Sequence, residues 1–385
     1  MPDFYSLRQY VLVALLFLLG CAASRDVIAT EQWFADYAAE VQQQAEKYNI
    51  PGYAMVFYQQ GKSPVIYVYG KTHRGGEPIT EDTVFRLASV SKTFTSVLMA
   101  KLVRQQQLHW NTPVTELSDT LGENGTLNPD LALGHILGQS SGFMPNAYDN
   151  LIEANYPLKR VLSQLAGLQP LCAPGECYTY QNALFGAIEE YFVSRNTSYH
   201  RQLQEQILTP LGMQTASAGK GGLLASESWA RPHIAIARNR WQEGPVESNY
   251  YRFAPAAGVN ASINDMTRWL QAMLLEFPTV VPEDVVEAVT TPRVRTSREV
   301  YRRGWREDLK DAHYGLGWRV YDYAGEVLNY HGGWVKGYRA DVSFSPKHKA
   351  GYVMLMNAES NLINTTTADF WKAYFNQARH ESLGK

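Results

Sequence analysis

Phe85-Arg86-Leu87-Ala88-Ser89-Val90-Ser91-Lys92-Thr93-Phe94-Thr95 is the stretch on which the reading of the chain turns. After Phe85 the apolar residues Val90, Phe94, Val97, Leu98 and Leu102 recur at the three-to-four spacing of one helical face, so an amphipathic helix opens near Ser89. Lys92 then lies on the same side of that helix, because residues three apart are neighbours there. A serine hydroxyl is a weak nucleophile at neutral pH, and an adjacent amine becomes its base when burial lowers the amine's pKa. The amides at the helix N-terminus add partial positive charge where an oxyanion would form. Taken alone, Ser89 reads equally well as an N-cap. Spacing does not decide between these readings, since Ser217 with Lys220 and Ser382 with Lys385 repeat it. Ser217, however, precedes Gly219, Gly221 and Gly222, which oppose a helix, and Ser382 lies in the C-terminal tail.

Outward from this segment the period changes twice. Before it, Tyr53 to Tyr58 and Val65 to Tyr69 flank a Gly61-containing break and read as a hairpin. Behind it, residues of about 110-280 are dominated by helical patterns. The clearest opens at Ser262-x-x-Asp265, a capping box, and carries Ile263, Met266, Trp269, Leu270 and Met273 on one side. From Gly317 the strand signal returns as Trp318 to Tyr323, Val327 to His331, Tyr338 to Phe344 and Gly351 to Met356, and a last helix holds Phe370, Trp371, Tyr374 and Phe375. Such a chain predicts an α+β fold: one antiparallel sheet built from both ends, flanked by terminal helices, with an all-helical lobe inserted.

Composition narrows the function classes. Hydrophobic residues at 45% and charged residues at 19% describe a globular chain. A balance of 35 Lys and Arg against 37 Asp and Glu, with no basic stripe, argues against nucleic acid as a partner. Arg8 followed by the apolar run Val11 to Leu19 reads as a signal-peptide core over residues 1-20 and predicts export to the periplasm, with a linker at 21-30 before a domain at 31-380. Leu18-Leu19-Gly20-Cys21 resembles a bacterial lipobox, which implies lipidation of Cys21 and an outer-membrane lipoprotein; cleavage near Ala22-Ala23 is the alternative. In an oxidising compartment the Pro-Gly turn between Cys172 and Cys177 favours a disulfide over a reduced pair, and their spacing makes zinc improbable. No metal, phosphate or dinucleotide motif appears, and no cofactor is expected.

The nucleophile segment resembles that of class C β-lactamases and their relatives, the penicillin-binding proteins, DD-peptidases and esterases, almost residue for residue. The family's Tyr-x-Asn motif has its counterpart in Tyr180-Gln181-Asn182, after Pro174-Gly175 and before an apolar, Gly-containing helix; Tyr148-x-Asn150 lacks that setting. Its third motif, Lys-Thr-Gly or His-x-Gly, stands here as His331-Gly332-Gly333. The resemblance implies a β-lactamase/transpeptidase-like fold, with Ser89, Lys92 and Tyr180 catalytic and with Asn182, His331, Gly333 and Trp334 contacting substrate. It assigns Tyr180 to proton relay, its phenol made more acidic by the lysine cation. It has Asn182 donating to the substrate amide and to Lys92, and the N–H of Trp334 sharing an oxyanion hole with that of Ser89. Ile207 to Met213, Ala256 to Ser262 and Tyr314 to Trp318 also resemble family signatures.

Replacing Lys-Thr-Gly by His331-Gly332-Gly333 removes a fixed positive charge and a hydroxyl suited to a substrate carboxylate. Lys336 and Arg339 are near enough to restore an anchor but read as solvated surface charges. The expected function is therefore an exported serine hydrolase acting on β-lactams or D-Ala-D-Ala peptides. An esterase or D-amino-acid peptidase is the alternative, and a non-catalytic penicillin-binding receptor the remote one. A competing nucleophile elbow, Gly138-Gln139-Ser140-Ser141-Gly142, needs a strand before it and a helix after it; Leu131 to Leu137 reads instead as helix.

Overall fold

The computed structural model describes residues 32–123 and 127–383; the leader, Cys21 and the segment up to residue 30 lie outside them. The chain divides after Glu46. The described part of the smaller unit is helical, with Phe34, Tyr37, Ala38, Val41 and Ala45 at helical spacing. The larger unit, from Lys47 onward, carries everything that follows.

Its strands, in chain order, are β1 (Gly52–Gln59), β2 (Val65–Gly70), β3 (Phe85–Arg86), β4 (Ser217–Ala218), β5 (His233–Ala237), β6 (Arg240–Glu243) and β7 (Val259–Ala261). The C-terminal part adds β8 (Val294–Arg295), β9 (Leu309–Tyr314), β10 (Arg319–Tyr323), β11 (Glu326–Val335), β12 (Tyr338–Ser345) and β13 (Ala350–Met356). Eight of them form one antiparallel sheet in the order β2-β1-β13-β12-β11-β10-β9-β8. The first hairpin pairs with the last strand, from Tyr53 opposite Met356 to Gln59 opposite Ala350, so early and late parts of the unit build one sheet.

β12 and β13 are buried along their whole length because helices cover both faces. Leu270 of the Ile263–Met273 helix packs on Gly351, while Phe370 of the Leu362–Leu383 helix stacks on the next residue, Tyr352, at 4.3 Å. Consecutive strand residues point to opposite faces, so the two helices sandwich the sheet. The Ile263–Met273 helix has the expected capping box between Ser262 and Asp265.

Three features differ from the sequence reading. The Ser91–Arg104 helix is buried on nearly every side, not amphipathic. Its Thr93 and Thr95 donate back to the carbonyls of Val90 and Ser91, which satisfies polar groups without solvent. Across the glycines after Ser217 a short helix, Gly219–Ala225, does form; a side chain on Gly222 would strike Ser217 Oγ at 2.4 Å, so close packing selected glycine there against helix propensity. The lobe expected to be all helical also holds β4 to β7, whose two to five residues each are too short to show a period.

Candidate active site

Ser89 projects from a turn stapled at both ends to β7. Phe85 and Arg86 pair with Ala261 and Asn260, Leu87 N–H donates to the Val259 carbonyl (3.0 Å), and Val259 N–H donates to Ser91 Oγ (2.9 Å). Ala88 is held at φ +49°, a left-handed conformation costing a non-glycine residue about 1–2 kcal/mol. A 3-10 turn, Ala88–Val90, then leads into the helix, with Ala88 and Val90 buried and Ser89 partly open to a cleft of about 730 Å³. β11 presses on the same turn, where a Cβ on Gly333 would lie 2.2 Å from the Leu87 carbonyl oxygen. Only glycine allows that approach.

Lys92 is wholly buried, and its ammonium reaches three acceptors: Asn182 Oδ1 at 2.7 Å, the Ala256 carbonyl at 3.0 Å and Ser89 Oγ at 3.2 Å. Burial pulls its pKa down to about 7; Asp149 opposes that shift and the Arg319 cation adds to it. A base poised near neutrality is thus placed at the serine.

Tyr180 and Asn182 arrive on the loop after Cys172 and Cys177, which are bonded to each other. The Gly138–Gly142 turn clamps this loop: Gln181 N–H donates to Gln139 Oε1, Thr179 N–H to the Gln139 carbonyl, and Gly175 N–H to the Ser140 carbonyl. The turn follows the Leu133–Leu137 helix, and both its serines are buried outside the cleft, so the nucleophile elbow is excluded. Tyr180 is hydrogen-bonded to Ser89, and its ring lies 4.8 Å from Lys92 Nζ. Burial raises its phenol to about 12, and the bond to Ser89 and the Arg319 cation only partly offset this. The acidified phenol expected from the motif is not found, because desolvation outweighs the nearby charges.

Asn182 accepts from Lys92 instead of donating to it, and its Nδ2 donates to Asp149 Oδ2 at 2.8 Å. Asp149 was not singled out in the sequence. Its carboxyl is raised to about 6, chiefly by burial. Its position beside the rejected Tyr148-x-Asn150 motif was the available signal; Tyr148 and Asn150 themselves line a separate hollow with Met144 and Leu168.

His331 was expected to touch substrate, but it is fully buried and does not line the cleft. Its Nδ1 lies 2.9 Å from the Gly332 carbonyl, which only accepts, so Nδ1 carries the proton and Nε2 accepts from the Tyr314 hydroxyl at 2.9 Å. Burial and the cations of Arg319 and Lys92 hold its pKa well below the usual histidine value. It is a neutral strut between β9 and β11. Gly332, Gly333 and Trp334 do line the cleft, on the stretch of β11 beyond Tyr330 where pairing with β10 ends.

The cleft is polar, walled by Asp149, Glu153 and Glu247 among its acids and by Arg302, Arg319 and Arg339 among its bases. Arg319, ion-paired to Glu299 at 2.9 Å, stands over the rings of Tyr178, Tyr180 and Tyr314. The solvated reading holds for Lys336, paired with Glu247, but not for Arg339, which is buried. Among the described residues no cluster of His, Cys, Asp and Glu could hold a metal ion, and no helix is long and apolar enough to cross a membrane.

Comparison with known proteins identifies the family. A β-lactamase of Yersinia enterocolitica is 27% identical over 286 residues, covering 72% of this chain and 66% of its own length. A D-aminopeptidase of Gluconobacter oxydans is 24% identical over 325 residues, covering 80% of this chain and 56% of its own. This chain therefore spans less than two thirds of either relative. The octameric penicillin-binding protein homologue from Pyrococcus abyssi has the same fold, with a TM-score of 0.74 at 19% identity over 85% of this chain and 74% of that one. The β-lactamase family model matches residues 37–370, a span that takes in the Ser89 turn and both walls of the cleft, and the chain belongs to that family of serine hydrolases.

Proposed function

We propose that the protein is an exported serine hydrolase that forms an acyl-enzyme at Ser89 and acts on β-lactams or D-Ala-D-Ala type peptides. The observation that carries the reading is the buried Lys92 amine, 3.2 Å from Ser89 Oγ with its pKa near 7. In its neutral form Lys92 takes the serine proton as Oγ bonds to the acyl carbon. The N–H groups of Ser89 and Trp334 hold the oxyanion. Tyr180, protonated at neutral pH, hands its proton to the leaving nitrogen or oxygen as that bond breaks and regains one through Lys92. Water then attacks the ester, and the acyl group leaves as an acid. Asn182 keeps one of its two N–H bonds for the substrate amide, since the other is held by Asp149.

The esterase or D-amino-acid peptidase reading has its own support. His331 offers the cleft no charge, and the carboxylates of Asp149 and Glu153, which line it, suit a substrate ammonium. Export to the periplasm and lipidation of Cys21 rest on the N-terminal sequence alone. Labelling by a fluorescent penicillin and by a fluorophosphonate, lost together in Ser89→Ala, is the expected result; unchanged labelling of that variant would overturn the assignment. Relative hydrolysis of nitrocefin, a D-Ala-D-Ala peptide and a p-nitrophenyl ester then ranks the substrate classes, and turnover of the ester alone would favour the second reading.

A further inference from the structure

The oxygens around the Lys92 nitrogen are not equivalent. Asn182 Oδ1 and the Ala256 carbonyl have no proton to give, whereas Ser89 Oγ has one. Once the ammonium has lost a proton, its two remaining N–H bonds stay on the amide and carbonyl oxygens, and the lone pair is left on the side of Ser89. The aim of the base therefore depends on how firmly those two oxygens are held. Asp149 holds the Asn182 amide. The groups that hold the Ala256 carbonyl lie outside the cleft.

Ala256 belongs to the short helix Ala254–Ala257, which is closed by a bond from Gly258 N–H to the Ala254 carbonyl (2.9 Å). A helix of one turn leaves its later carbonyls without partners of its own. Those of Pro255 and Ala256 are met by the Ser91–Arg104 helix, where Thr95 stands three residues beyond Lys92 and so on the same face. Thr95 Oγ1 reaches the Pro255 carbonyl at 2.7 Å and the Ser91 carbonyl of its own helix at 3.1 Å, and the Tyr199 hydroxyl lies 2.8 Å from it. Both carbonyls only accept, so the Thr95 proton is committed to them and Tyr199 donates to Thr95. Thr95 and Tyr199 are fully buried, and neither lines the cleft. Burial, with a smaller push from the Glu189 carboxylate, raises the Tyr199 phenol above its ordinary pKa and keeps it protonated, as a donor must be.

We infer that Tyr199 and Thr95 are positioning residues for the base: the chain from the Tyr199 hydroxyl through Thr95 Oγ1 to the Pro255 carbonyl holds the short helix against Lys92, keeps the Ala256 carbonyl on one amine proton and so directs the Lys92 lone pair at Ser89. The inference rests on the acyl-transfer reading, in which Lys92 is the base. Without the Thr95 hydroxyl, the Pro255 carbonyl and the Tyr199 hydroxyl lose a buried partner, which favours a shift of the short helix. Successive carbonyls of a helix point the same way, so a shift that frees Pro255 carries the carbonyl of its neighbour Ala256 away from Lys92.

The rate of fluorophosphonate labelling of the full chain tests it, because the step is defined: Ser89 Oγ bonds to phosphorus, its proton passes to Lys92 and fluoride leaves. Thr95→Val keeps the side-chain shape without the hydroxyl and is expected to slow labelling about tenfold or more, Tyr199→Phe to slow it about threefold, and Thr95→Ser to restore most of the wild-type rate. Thermal melting shows each variant folded; should Thr95→Val melt below the assay temperature, Tyr199→Phe carries the same comparison. Both substitutions are then repeated in a Lys92→Met chain, which has no lone pair to aim. There each is expected to change the residual rate by less than about twofold, because residues acting through one group do not add. Equal slowing in both backgrounds, or labelling of Thr95→Val and Tyr199→Phe at the wild-type rate, would overturn the inference and leave acyl transfer standing. Labelling of Lys92→Met as fast as the wild type would instead remove the base, and with it both the inference and the reading beneath it.

Discussion

Two turns in this molecule present serines next to a left-handed, non-glycine residue, and they do opposite work. Ala88 (φ +49°) precedes Ser89, and Gln139 (φ +54°) precedes Ser140 and Ser141. At the first turn the strain throws a hydroxyl into a cleft beside a desolvated amine. At the second, both serines are buried and the strained backbone serves as a bracket that holds the loop carrying Tyr180 and Asn182. A serine motif becomes a reactive site through what faces it. Only the first turn has a base within reach and an open side.

Variants of the two turns should separate the roles cleanly. Ser89→Ala is expected to lower hydrolysis by about three orders of magnitude or more, whereas Ser140→Ala and Ser141→Ala keep fluorophosphonate labelling, and Ser141→Ala, which removes the acceptor for Phe143 N–H, loses about 1 kcal/mol of stability in urea melts. Lys92→Met, which keeps the volume but removes the base, is expected to slow acylation about 10²–10⁴-fold in stopped-flow measurements. In the wild type the acylation rate should rise with pH through about 7, because the base acts only once Lys92 has shed its proton. Asp149 favours the charged amine, so Asp149→Asn lowers the Lys92 pKa and moves that limb towards acid pH; a limb that stays in place would disconnect the carboxyl from Lys92. Gln139→Ala removes the acceptor for Gln181 N–H, and the loosened Tyr180 loop is expected to cost about tenfold in kcat. The smallest effect on rate belongs to Cys172→Ser with Cys177→Ser. Opening so short a loop removes about 2 kcal/mol of stability, readable as a lower melting temperature, and leaves turnover near wild type.

Much of the sheet was readable because its strands carry long runs with clear boundaries, as at Tyr338–Ser345 and Ala350–Met356. β9 escaped notice because Lys310, Asp311 and His313 dilute its pattern; only Leu309, Ala312 and Tyr314 face inward. Ser89, Lys92 and Tyr180 were legible as motif residues. Asp149 was not, since a lone carboxylate has no spacing to reveal it and its connection to Lys92 runs through the Asn182 amide.

Local order along the chain was sufficient to specify the α+β alternation, the helix that follows Ser89 and the placement of an amine one turn away, because these depend on periods of two and 3.6 residues. Burial and long-range contact decided the rest: that Lys92 sits near neutrality while Tyr180 does not, that His331 is a strut, and that Arg339 is buried and not a solvated surface charge. Desolvation depends on everything packed around a group, including residues more than a hundred positions away, and no spacing in the chain encodes that.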